Sequence, residues 1–323
     1  MFRTPLCDLL GIDHPIVLAA MGSATSAEFA AAASNAGGLG SIATLNRPTA
    51  AVLDDLDTIR DLTYRPFAVN HVPQSLDEEA FAATLALRPA VVSFALGDPG
   101  DLIGRAHDAG SLVMLQVTTV AQAVLAAERG VDLVVAQGGE AGGYSGVVGT
   151  LPLVPQVVDA VAPIPVVAAG GIFDGRGLAA ALVLGAAGVN LGTRFLASRE
   201  APIEETWRQA ILAARSEDAI KAEALNAVNP LPGTAGFGTV LRSLRTPFLD
   251  EWNSRLAEAE RQRDRLQAET SAAVQAGRRI DFLATAGQSA GAITDVLPVA
   301  EIIRRIVAEA EAALQSSSRR FAQ

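Results

Sequence analysis

The sequence predicts an α/β protein, a (β/α)8 TIM barrel with an inserted helical lid region before its last helix. Three features carry this expectation: eight short apolar runs rich in β-branched residues, helical stretches between them, and one long interruption before a final amphipathic helix. Runs without polar alternation, separated by helical segments, mark parallel strands covered by helices rather than a hairpin sheet.

The eight runs cover residues 16–20, 38–43, 67–70, 90–95, 112–117, 133–137, 165–169 and 188–191. Between them, residues 25–35 read as a helix ending on Asn35-Ala36-Gly37-Gly38, and residues 119–129 as one ending on Gly130. Glycine suits the left-handed conformation that closes a helix. Eight such units suggest closure into a barrel. The eighth outer helix does not follow its strand; the best candidate is 298–314, with Ile302, Ile303, Ile306, Val307 and Ala310 spaced for one face. The predicted division is therefore a barrel over 1–197, an inserted helical lid over 198–291, and the last barrel helix and tail over 292–323. The insertion holds a Pro/Gly-rich loop at 229–236 and a charged helix at 247–277. Insertions after barrel strands rise over the C-terminal face, where such enzymes work.

Composition narrows the function classes. Half of the 323 residues are hydrophobic and 19% are charged, yet no apolar run approaches the roughly 20 residues of a membrane-spanning helix. Met1 through Asp8 lacks the features of a signal peptide, so a cytoplasmic location is expected. The single cysteine, Cys7, excludes an intrachain disulfide and a cysteine-cluster metal site, and no histidine and carboxylate spacing suggests a metal centre. A net charge of −10 disfavours nucleic acid and anionic membranes and favours small-molecule chemistry; a homodimer is open.

Two groups of residues carry the chemistry. Ala168-Ala169-Gly170-Gly171-Ile172 and Gly188-Val189-Asn190-Leu191-Gly192-Thr193-Arg194-Phe195 end the seventh and eighth predicted strands. Glycine lets backbone N–H groups approach an anion there, and these loops are the usual barrel site for a phosphate. Thr193 adds a hydroxyl, and Arg194 is open to pairing with a carboxylate on the rim. The second group, Gln137-Gly138-Gly139-Glu140-Ala141-Gly142-Gly143-Tyr144-Ser145-Gly146, follows the sixth strand and holds five glycines. Its glycine content exceeds what packing is expected to need, which suggests a loop lying flat against a large planar ligand. Glu140 is then either a site carboxylate or a loop anchor, and Tyr144 either a site phenol or a rim aromatic.

These segments, taken in order with Pro15-Ile16-Val17-Leu18-Ala19-Ala20-Met21-Gly22, Phe67-Ala68-Val69-Asn70 and Ala286-Gly287-Gln288, resemble the nitronate monooxygenases and the related flavin-dependent enoyl-acyl carrier protein reductases over nearly the whole chain. The resemblance implies an FMN-dependent oxidoreductase, with NAD(P)H as a transient electron donor. It implies the FMN phosphate at Gly170, Gly171, Asn190, Leu191, Gly192 and Thr193, and the ring system near Ala20, Met21, Asn70, Gln137 and Gly142. The implied chemistry is oxidation of nitronates, or reduction or desaturation of a carbonyl-conjugated substrate such as an acyl thioester or enone.

Position 144 departs from the family pattern, which places a histidine there. A phenol with a pKa near 10 is a poor base at neutral pH and a serviceable proton donor. Tyr144 is therefore expected to act as an acid or an oxyanion-binding group. His71 is the best replacement base, although its neighbour Asn70 claims the inward face of the strand. His14 reads as a turn residue and His107 as an outer-helix residue. Three alternatives stay open: a non-catalytic binding protein, an NAD(P)H:quinone reductase, and a flavin-free phosphate-binding lyase or isomerase. The last calls for a lysine or paired carboxylates at strand ends, whereas Lys221 lies outside every motif.

Overall fold

The computed structural model describes residues 3–231 and 238–321, so part of the Pro/Gly-rich loop expected at 229–236 lies outside the described residues. Eleven strands occur among them: β1 (Ile16–Leu18), β2 (Gly40–Ala43), β3 (Phe67–His71), β4 (Val91–Phe94), β5 (Leu112–Val117), β6 (Leu133–Gln137), β7 (Gly143–Ser145), β8 (Val166–Ala169), β9 (Gly188–Leu191), β10 (Ala219–Lys221) and β11 (Val240–Leu244). Eight of them form one parallel sheet in the order β1-β9-β8-β6-β5-β4-β3-β2. Leu39 N donates to Ile16 O at 2.9 Å and Leu18 N to Leu39 O at 2.8 Å, joining the two ends of the sheet. The expected (β/α)8 barrel is present, and each of its strands falls on one of the eight apolar runs.

The strands alternate strictly. One ring of inward side chains, Val17, Leu39, Ala68, Val91, Met114, Val135 and Val167, forms an apolar core. Leu6, Cys7 and Leu10 of the helix Pro5–Leu10 close this core from below. Gly188 completes the ring because a Cβ there would stand 2.5 Å from Leu6 Cδ2. Outward residues such as Ile16, Leu18, Val92, Val134 and Val189 pack against the helical shell.

The helix starts follow ordinary capping chemistry. Ser26 accepts from Phe29 N before Ala27–Asn35, Thr119 from Gln122 N before Val120–Glu128, and Asp174 from Gly177 N before Gly175–Val183. The last helix, Val299–Phe321, packs against Gly175–Val183 and Ala27–Asn35, filling the place of the eighth outer helix. Gly175 permits that contact: a Cβ would lie 2.3 Å from Ala310 N.

The segment between β9 and the last helix is less regular than expected. The single charged helix predicted at 247–277 is three helices, Pro247–Trp252, Leu256–Arg261 and Arg263–Gln275. The first break falls at Asn253 and Ser254, weak helix formers. The Asn253 amide serves tertiary contacts instead, accepting from Ala224 N at 3.0 Å and donating to Lys221 O at 2.8 Å. An unexpected three-stranded antiparallel sheet, β10-β11-β7, couples this segment to the loop after β6. Among the described residues no helix is long and apolar enough to cross a membrane.

Candidate active site

One pleat above the apolar ring, the inward positions become small or polar: Ala19, Ser41, Asn70, Ser93, Gln116, Gln137, Ala169 and Asn190. All eight line a cavity of about 690 Å³ at the C-terminal mouth of the barrel. The amides are oriented by neighbours. Asn70 Nδ2 donates to Ser93 Oγ at 3.0 Å, and Gln116 Nε2 donates to Gln137 Oε1 at 3.2 Å. Asn190 Oδ1 is buried and has no partner among the described residues, an acceptor that a bound donor would satisfy. The cavity is roofed by the segment after β9, including Trp207, Leu225, Leu241, Arg279, Leu283 and Thr285.

Ala20, Met21, Gly170, Gly171, Gly192 and Thr193 also line the cavity. Gly170 and Gly171 have φ of 102° and 70°, values that disfavour any side chain. The backbone N–H groups of Gly171 and Ile172 meet no acceptor among the described residues, which suits an anion. Thr193 Oγ1 accepts from Gly287 N at 2.9 Å and keeps its own proton to donate. Leu191 is a correction: its side chain packs outward in the barrel–helix core, as period-two alternation requires between Asn190 and Gly192. Arg194 turns away to a rim carboxylate, donating to Asp295 Oδ1 at 2.8 Å.

Three of the five glycines in the loop after β6 are required by the loop's own packing, a role larger than the sequence suggests. A Cβ at Gly138 would stand 2.0 Å from Thr150 Oγ1, one at Gly142 2.6 Å from Ala286 C, and one at Gly146 2.8 Å from Thr118 Cβ. Glu140 is the loop anchor, accepting from Thr150 N and Thr150 Oγ1, both at 2.9 Å. Two cations of the roof grip the same loop. Arg242 Nη2 donates to Gly139 O at 2.7 Å. Lys221 Nζ donates to Ser145 O and Ser145 Oγ at 2.7 Å and to Gly146 O at 3.0 Å. Burial, with Arg242 nearby, holds the Lys221 ammonium down to about 8.

Tyr144 sits on β7 opposite Leu241 of β11 and lines the cavity. Ser145 points the other way, toward Lys221, so alternation along β7 aims the tyrosine inward. Burial pushes its phenol above the ordinary value. It is neutral at physiological pH. His71 is the second correction. It is fully buried behind β3, with Nε2 3.1 Å from Thr84 Oγ1 and its ring edge-on to Phe81. Burial drives it down to about 4, a neutral core histidine outside the cavity wall. Sequence reasoning missed Ser41, Ser93, Gln116, Trp207 and Arg279. The first three continue the alternation that places Asn70 and Gln137; the last two come from the roof and give no such signal.

A parallel (β/α)8 barrel with glycine turns after β8 and β9, an amide-lined mouth and a helical roof defines an α/β-barrel enzyme acting on a small molecule at its C-terminal face. More narrowly, the chain belongs to the nitronate monooxygenase family, whose model matches residues 3–86 and 72–309, and it is an oxidoreductase. Among curated relatives, "(3aS,4S,5R,7aS)-5-hydroxy-7a-methyl-1-oxo-octahydro-1H-indene-4-carboxyl-CoA dehydrogenase" from Mycobacterium tuberculosis is 33% identical, covering 98% of each chain. A "Probable nitronate monooxygenase" from Staphylococcus aureus is 32% identical over 77% of this chain and 80% of its own. The structure of FabK from Thermotoga maritima superposes with a TM-score of 0.89 at 34% identity, covering 98% of this chain and 99% of that one. That of nitroalkane oxidase from Streptomyces ansochromogenes does so at 0.83 and 29% identity, covering 96% and 99%.

Proposed function

We propose that the protein is an FMN-dependent reductase of a carbonyl-conjugated substrate, an acyl thioester or enone, with Tyr144 as the proton donor. One observation carries the reading: among the described residues, the cavity wall holds no histidine, carboxylate or lysine, and its titratable side chains are Tyr144 and Arg279. A wall whose titratable groups are a neutral phenol and a guanidinium can supply a proton from the phenol, but offers no base at neutral pH. Desaturation beside a carbonyl needs a base; reduction needs an acid. The curated relative that acts on a carboxyl-CoA supports a thioester substrate.

The residues present fit FMN. Gly170, Gly171, Gly192 and Thr193 would hold the phosphate, Asn190 would give its buried acceptor to the cofactor, and Asn70, Gln137, Ala20, Met21 and Gly142 would face the rings. Bound there, the flavin would supply hydride chemistry. Tyr144 donates a hydrogen bond to the substrate as charge builds on it, and then a proton. Gln116 and Ser93 keep Gln137 and Asn70 in fixed orientations. The roof over 198–291 excludes water and sets specificity through Trp207, Leu225, Leu241 and Leu283.

A nitronate is the second reading, favoured by the missing base, because a nitronate arrives already deprotonated. Anaerobic mixing separates the two. The purified protein should carry flavin absorbance, be bleached by NADH or NADPH, and be reoxidised by an α,β-unsaturated acyl-CoA. Rapid bleaching by a nitronate, with no reoxidation by any enone or thioester, would overturn the reductase reading. A colourless protein that takes up no FMN would overturn both.

A further inference from the structure

Arg279 is the lone charged residue in the described wall of the cavity, in a protein whose net charge is −10. It lies in the roof, in the short turn Arg279–Asp281. Its guanidinium stacks over Trp207, 4.8 Å from the ring centroid, and Nη1 donates to Ser23 Oγ at 3.1 Å, just past the end of β1. Trp207 is fixed in turn by donating from Nε1 to Thr285 O at 3.2 Å. The guanidinium thus has a rigid seat between roof and barrel. What it lacks is a counter-ion. No carboxylate of the described residues lies within ion-pairing distance, and Nε is buried with no acceptor. Arg47 and Arg194 are compensated by carboxylates, Asp55 at 2.7 Å and Asp295 at 2.8 Å, and Arg242, which has none, spends its donors on the carbonyls of Gly139 and Ala219. A cation taken from water without a partner is costly unless something else neutralises it. Burial pushes the guanidinium below its ordinary range, with Glu204 opposing from farther off.

We propose that Arg279, stacked on Trp207 and bonded to Ser23, is an anion-recognition subsite of the cavity that takes a phosphate or carboxylate group. The planar fork suits bidentate binding of such a group, and the aromatic seat holds it without consuming its donors. Two sources offer this chemistry: the phosphates of an acyl carrier such as coenzyme A, and those of a nicotinamide dinucleotide. The subsite rests on the cavity being the reaction site but not on FMN being the cofactor.

The test is calorimetric titration of the purified protein, with its flavin content recorded, using inorganic pyrophosphate, coenzyme A, NADH and NADPH in turn. Arg279→Met should weaken pyrophosphate and at least one organic ligand about 10- to 100-fold, and Arg279→Lys should recover part of it. In turnover, KM for the anionic ligand should rise while kcat changes little, and the salt dependence of KM should shrink. A role confined to packing Trp207 would leave that salt dependence intact. Loss for coenzyme A alone assigns the anion to the acyl carrier, and loss for a dinucleotide alone assigns it to the electron donor. Affinities within twofold of the unmodified protein for all four ligands, or no binding by the unmodified protein, would overturn the subsite. If Arg279→Met fails to fold, the lysine variant and the ionic-strength dependence of pyrophosphate binding decide instead. A protein without flavin that still binds pyrophosphate through Arg279 would sink the FMN reading and leave the subsite standing.

Discussion

Along each barrel strand, two inward positions one pleat apart have opposite duties. Val17, Leu39, Ala68, Val91, Met114, Val135 and Val167 are packed against one another and the N-terminal helix. Two residues further on, Ala19, Ser41, Asn70, Ser93, Gln116, Gln137, Ala169 and Asn190 face the cavity. Both rings share the same strands and the same face; they differ in what lies above them. The lower ring is packed and apolar, and only Met114 and Val135 of it reach the cavity, as part of its floor. The upper ring faces space, and its amides are hydrogen-bonded within the ring, Asn70 to Ser93 and Gln116 to Gln137, or, at Asn190 Oδ1, unpaired. Stability and chemistry are thus separated by about 7 Å along a strand, two residues of rise.

Substitutions in the two layers should divide accordingly. The largest effect is expected at the cavity. Tyr144→Phe should lower kcat by about 10²–10⁴-fold, the range for a positioned proton donor, with flavin content and melting temperature nearly unchanged. An unchanged rate would remove the phenol from the mechanism. Gly138→Ala should act on stability, since its Cβ would meet Thr150 N at 2.4 Å; urea denaturation should show a loss of roughly 3 kcal/mol, the upper range for overpacking.

His71 belongs to the packed side of the comparison, and pH can show it. Its folded value of about 4 lies below its ordinary 6.5, so between those values the unfolded chain binds a proton that the native protein refuses. Stability should therefore be flat with respect to this group above pH 6.5 and fall by about 3 kcal/mol in total as pH drops toward 4. His71→Gln should flatten that limb and leave the pH profile of kcat unaltered. A change in the kcat profile would place the histidine in the reaction after all. The smallest effect discriminates most finely: Asn190→Leu removes an unpaired buried acceptor, so the flavin-free protein should gain about 1 kcal/mol while flavin affinity falls. A loss of stability would mean that Asn190 serves the fold.

Much of this was legible in the residues. The apolar runs located all eight barrel strands within about two residues at each end, because a strand buried on both faces has few other sequences available to it. Gly170, Gly171, Gly192 and Thr193 stood out because glycines and a hydroxyl at strand ends suit an anion, and Gln137 because its amide opens the glycine-rich loop, whereas Asn70 and Asn190 were reached through the resemblance to the family. Period two also weighed against His71, which is adjacent to Asn70, already assigned inward, yet adjacency alone could not say where the strand stops. β3 continues through His71, and that one extra residue turns the imidazole into the shell.

The chain by itself determined the barrel, the two glycine turns and the substitution of a phenol at position 144, because these follow from local periodicity and from which residue types tolerate a strand end. The tertiary structure decided the rest. β7 is three residues long and exists because β11, nearly a hundred positions later, pairs with it, and that pairing aims Tyr144 at the cavity. The glycines around it serve contacts with Thr150, Thr118 and Ala286 that no local pattern announces. Arg279 becomes a cation without a counter-ion among the described residues only when the roof folds over the barrel. The physical reason is common to all three: a close contact or a missing counter-ion is a property of two distant segments together, and neither segment encodes it alone.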